Sequence, residues 1–232
     1  MWFEFLSANR RRLPMKTITV KGMGKASVKP DLIVISMRLE TEDKEYDKTT
    51  ELAAEKIEIL NKSLEEVGFE KQSIKTTNFF VRANYENVRD KNGIYKNEFK
   101  GYVCSHNLKI EFDFNTKRLA TALSAISACV ATPEFSISFT VKDRSKISDE
   151  LLKSAAKNAR EKAETLCAAS GVKLGELISI DYKWGETDVY SDTAYRIENR
   201  RMMKAEACFA NVDIEPEEIN VNDAVTFVWE IV

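Results

Sequence analysis

The side chains best suited to chemistry stand together at Cys104-Ser105-His106. His106 is the single histidine of 232 residues, so any scheme that needs an imidazole base or ligand must use it. The run reads as the start of a strand, where adjacent side chains point to opposite faces. Ser105 is therefore no nucleophile for His106 to activate. Cys104 and His106 share a face, yet two ligands two residues apart make no zinc site without further donors. His106 is expected to be a surface or sheet-packing residue. Gly22-Met23-Gly24 opens like a phosphate-binding loop, but Ser27 takes the third glycine's place and a strand follows it. That removes the helix N-terminus that would hold the phosphate. The glycines are expected to interrupt the first strand, at a bulge or where backbones pack closely. Carboxylates fall on helix faces and in loops, where solvation accounts for them. No catalytic, cofactor-binding or metal-binding residue is singled out and no cofactor is implied, so the chain is expected not to be an enzyme.

Composition agrees with that reading. Thirty-five Lys and Arg balance 37 Asp and Glu, which gives no electrostatic footprint for nucleic acid. Cys104, Cys129, Cys167 and Cys208 are widely spaced, as free thiols in a reducing compartment would be. No apolar run approaches the ~20 residues of a membrane span. Residues 1–14 run apolar (Trp2, Phe3, Phe5, Leu6) and then basic (Arg10, Arg11, Arg12), the reverse of a secretory signal. They read as a flexible appended arm, and the expected compartment is the cytoplasm.

The elements that would position these residues follow from periodicity. Ile33, Ile35, Met37 and Leu39 share one strand face. Ala53, Ile57, Leu60, Leu64 and Val67 form the stripe of a helix over about 46–67, with Gly68 as its left-handed cap and Phe69 beyond it. Residues 74–85 read as extended, and Asn92-Gly93 marks a hairpin turn. Leu108–Phe114 is a strand, Asn115 caps a helix striped by Leu119, Leu123 and Ile126, and Phe135–Val141 is another strand. The best-specified element is a helix at Ser148–Ser170, N-capped by Ser148, with Leu152, Ala156, Ala159, Ala163 and Leu166 as its buried stripe and Gly171 at its exit. The two long helices share spacing and exit, as a weak internal duplication would. Leu177–Tyr182 and Val225–Ile231 read as strands. Between them, 183–210 shows no apolar period and reads as a loop.

Several segments in this order resemble the SIMPL-domain family, also called domain of unknown function 541. They are Val20-Lys21-Gly22-Met23-Gly24 with Val28-Lys29-Pro30-Asp31, Gly101-Tyr102, Ala159-Arg160-Glu161-Lys162-Ala163 through Gly171-Val172-Lys173-Leu174-Gly175, and Ile214-Glu215-Pro216-Glu217-Glu218-Ile219. Glu217 stands where the family often has glycine. The resemblance implies an α+β fold of two two-layer sandwich lobes, with mostly antiparallel sheets and helices packed on one face. Lobe one would take 15–100 plus 205–232 and lobe two 101–184, with 185–204 a mobile loop. The family includes exported, periplasmic immunogenic and stress-associated members, some oligomeric, and an innate-immune signalling adaptor. It has no established catalytic residues to carry over. An exported location is the alternative to the cytoplasm.

Three functions compete. The first is a non-enzymatic module that self-associates as a homo-oligomer through exposed strand edges or the long loop, in a stress-related setting. The second is an adaptor that grips another protein with the 183–210 loop, where Arg200-Arg201-Met202-Met203 stands out. The third is a small-ligand binder or enzyme with an unfamiliar site between the lobes.

Overall fold

A computed structural model describes residues 16–89, 95–183, 189–197 and 214–232. In chain order these form β1 (Thr17–Val28), β2 (Leu32–Asp43), α1 (Tyr46–Glu65), β3 (Lys75–Arg89), β4 (Tyr95–Asp113), α2 (Thr116–Ala128), β5 (Glu134–Thr140), α3 (Arg144–Ala169), β6 (Leu174–Asp181), β7 (Tyr195–Ile197) and β8 (Ile219–Ile231). The fold is α+β with antiparallel sheets, as expected. One sheet has the order β1-β8-β6 and the other β3-β4-β2-β5-β7.

The chain divides into two compact units. One comprises Met1–Val28, Asp143–Asp188 and Asn220–Val232, and the other Lys29–Lys142 and Val189–Ile219. The boundaries differ from the 15–100 and 101–184 lobes expected from sequence, and strand pairing explains why. β2 pairs along its length with β4 and along its first half with β5, so residues on both sides of position 100 share one sheet. The block 101–184 is cut at Lys142, and α3 and β6 join β1 and β8 in the other unit.

In the larger unit, Ile33, Ile35, Met37 and Leu39 of β2 and Leu108, Ile110 and Phe112 of β4 form one apolar sheet face. Leu60 and Leu64 of α1 and Leu119, Leu123 and Ile126 of α2 pack on it. Asn115 caps α2 by accepting from the Arg118 N–H at 3.0 Å. The α1 exit is as expected. Gly68 has φ +88°, its N–H donates to Glu65 O, and the Phe69 N–H donates to Leu64 O while the Phe69 ring is buried.

The α3 exit repeats this geometry. Gly171 has φ +70°, its N–H donates to Ala168 O, and the Val172 N–H donates to Cys167 O. The start and the stripe of α3 differ from expectation. The helix begins four residues earlier, because the Asp143 carboxylate accepts from both the N–H and the hydroxyl of Ser145. Its buried residues are Ile147, Leu151, Ala155, Ala159, Ala163 and Cys167, whereas Ala156 and Leu166 are exposed. Strict four-residue steps advance ~6 Å each along a helix, nearly the ~6.7 Å of two strand residues. The stripe follows the strand beneath it, β1, rather than a straight line along the helix.

β1 is continuous, so the glycines do not interrupt it. Val20, Gly22, Gly24 and Ala26 alternate inward. A Cβ at Gly22 would stand 2.1 Å from Ala155 O, and one at Gly24 would stand 2.2 Å from Leu151 O. Helix backbone therefore rests on strand backbone, the close packing anticipated for these glycines.

The expected loop 183–210 is ordered in its described part. β7 pairs with β5, Thr140 bridges to Tyr190, and the Ser191 hydroxyl donates to Glu217 O at 2.8 Å. These anchors are polar bonds to main chain, which leave no hydrophobic period to read. Residues 1–14, Asn92-Gly93, Arg200–Met203 and Cys208 lie outside the described residues.

Candidate interaction surface

The residues that first suggested chemistry are spread over two sheet faces. On β4, His106 and Ser105 point to opposite sides, as the strand period requires. The Ser105 hydroxyl donates to Glu40 Oε1 at 3.1 Å, and Arg38 forms an ion pair with Glu40 over it. His106 is buried on the other face, its Nε2 2.8 Å from Thr76 Oγ1 and its ring edge-on to Phe79 at 5.1 Å. Burial lowers the pKa of His106 and raises that of Cys104. Cys104, Cys129 and Cys167 are buried free thiols. Among the described residues no three His, Cys, Asp or Glu side chains cluster as metal ligands. Neither a base poised on a nucleophile nor a ligand set emerges from these groups.

A cleft of about 520 Å³ lies between β1 and α3, lined by Met23, Lys25, Ser154, Lys157, Asn158, Glu161 and Lys162. Its polar groups serve the fold. Asn158 Oδ1 accepts from the Met23 N–H at 3.0 Å, and Ser154 Oγ accepts from the Lys25 N–H at 3.2 Å. Lys162 Nζ donates to Lys21 O at 3.2 Å. Steps of four along the helix thus match steps of two along the strand, and helix side chains occupy the free edge of β1.

The opposite condition holds at β3. It is the outer strand of its sheet and runs for fifteen residues, and among the described residues no strand lies beyond it. Phe79, Phe80, Tyr85, Tyr95 and Phe99 on β3 and β4 are each between 39% and 69% exposed. Sequence periodicity identified an extended segment here but not its exposure, since nothing in residues 74–85 shows which strand lies at an edge.

Past the sheet, this edge continues as a two-stranded ribbon. The last pair of β2 with β4 is Asp43 with Tyr102, whereas β3 and β4 stay paired to Arg89 with Tyr95. The ribbon bends at a bulge where Asn84 faces Gly101 and Tyr85 faces Phe99, leaving Lys100 extra. Gly101 has φ +145°, and a Cβ there would stand 2.4 Å from Asp43 O, so the bend requires glycine. An isolated two-stranded ribbon is marginal in water, and this one is braced by side chains. Tyr46, Tyr102, Phe99 and Tyr85 meet edge-to-face in succession, at centroid distances of 5.5, 5.3 and 5.5 Å. Lys100 Nζ bridges Glu98 and Glu86 at 3.0 and 3.4 Å, and the Glu98 hydrogen bond leads in raising its pKa.

Comparison with family models matches residues 18–229 to SIMPL, a protein family of unknown function (DUF541). The chain belongs to the SIMPL family. Comparison with curated proteins finds no match. The match runs through both units, and both the close-packed glycines of β1 and the exposed β3 edge of this SIMPL protein lie within it. Among the described residues no helix is long and apolar enough to cross a membrane.

Proposed function

We propose that this SIMPL protein is a non-enzymatic module that works by self-association, with β3 and the β3–β4 ribbon as its contact surface. The observation that carries this reading is the long, aromatic edge of β3, which no strand covers among the described residues. Unpaired N–H and C=O groups beside exposed rings form a template for another strand. The contrast with β1, whose edge is occupied by Ser154, Asn158 and Lys162, supports assigning the contact to β3. A stress-related setting, as for the family members the sequence resembles, belongs to the same proposal.

Light scattering on the wild type and on a Tyr85→Glu/Phe99→Glu double variant tests it. The wild type is expected to give a discrete oligomer and the variant a smaller particle with an unchanged circular dichroism spectrum. Equal masses for the two proteins would remove the ribbon from the contact.

A further inference from the structure

We infer that two copies of this chain join by antiparallel pairing of β3 with β3 about a two-fold axis at Val81, making one continuous sheet. The inference rests on the self-association reading and adds its partner, strand and register. Between the bulge at Thr76/Asn78 and that at Asn84/Tyr85, residues 78–84 pair with β4 without a shift. They are Asn-Phe-Phe-Val-Arg-Ala-Asn, with neither proline nor glycine. This is the longest unshifted run of β3, ahead of the five pairs from Tyr85 to Arg89, and the flanking bulges limit how far pairing can spread.

Centring the pair on Val81 makes the run self-complementary. Phe79 then faces Ala83 of the second copy, large against small, and Val81 faces its own counterpart. On the other sheet face Phe80 lies opposite Arg82. Arg82 has no acidic partner among the described residues, so its guanidinium is available to the ring of the second copy. Both such contacts form twice, as an isologous interface requires, and a two-fold pairing closes instead of growing into a fibre.

The other edges are poorer partners. Helix side chains hold the β1 edge. β7 has three residues, and β6 shifts register twice within eight.

Amide exchange of the wild-type chain, compared between dilute and concentrated samples whose masses are measured alongside, tests this pairing. The outward amides, every second residue of 78–84, are expected to exchange about tenfold more slowly, or slower still, in the associated sample. Val81→Lys and Val81→Glu each place like charges across the axis. Each is expected to run as a monomer, and an equimolar mixture is expected to recover the dimer mass, which a folding defect would not do. An oligomer whose 78–84 amides exchange alike at both concentrations would overturn this pairing and leave self-association standing. A wild-type monomer throughout would overturn both.

Discussion

At the scale of single residues, two buried positions carry most of the consequence. His106 has its Nε2 on Thr76, while its Nδ1 is buried without a hydrogen-bond partner. Protonating it would place a charge among apolar neighbours, and burial accordingly holds its pKa below the ordinary 6.5. The unfolded chain therefore takes up the proton first as pH falls. The stability gained from a neutral His106 is full above about 6.5 and declines from there down to the lowered folded pKa, where the loss levels off. The thermal midpoint of wild type is expected to fall more between pH 7 and 5 than that of His106→Gln, and parallel curves would refute this. Gly22 is the second position. Its missing Cβ lets Ala155 O approach, so Gly22→Ala is expected to cost about 1–3 kcal/mol by overpacking. Denaturant unfolding measures this, and an unchanged midpoint would mean that β1 and α3 lie further apart.

At the scale of elements, α3 shows what could be read from sequence and what could not. Its exit at Gly171, its alanine character and the burial of Ala159 and Ala163 follow from residue types, because cap and stripe are local properties. Leu152 is half-buried against the same core, whereas Ala156 and Leu166 are exposed. A straight 3.6-residue template selects Ala156 and Leu166, whereas packing along a strand selects Ala155 and Cys167. That choice depends on a partner more than a hundred residues away in sequence. The same limit applies to β3. An alternating or apolar run marks a strand, but whether it lies at an edge is a property of the sheet. β4 and β5 flank β2, and this long-range pairing also drew the unit boundary away from position 100. Ala159→Glu tests the corrected stripe. A charge forced against Gly22 is expected to cost more than ~2 kcal/mol by chemical denaturation. Wild-type stability in this variant would remove Ala159 from the interface.

At the scale of the whole molecule, chain ends and interior segments are interleaved. β8 is the central strand of the β1-β8-β6 sheet and supplies buried Val225, Phe227 and Trp229. Removing residues 224–232 would part β1 from β6, so the truncated chain is expected to lose cooperative unfolding of the unit that holds α3. A single sharp transition at the wild-type midpoint would contradict that. In one unit the β1 edge is held by helix side chains, and in the other the β3 edge, with its aromatic ribbon, lies open among the described residues. Self-association is the reading that gives the open edge a purpose. Multi-angle light scattering across a hundredfold dilution of the wild type tests it most directly. The account predicts a discrete multiple of the 26.4 kDa chain that gives way to smaller species on dilution. A 26.4 kDa particle at every concentration would contradict it.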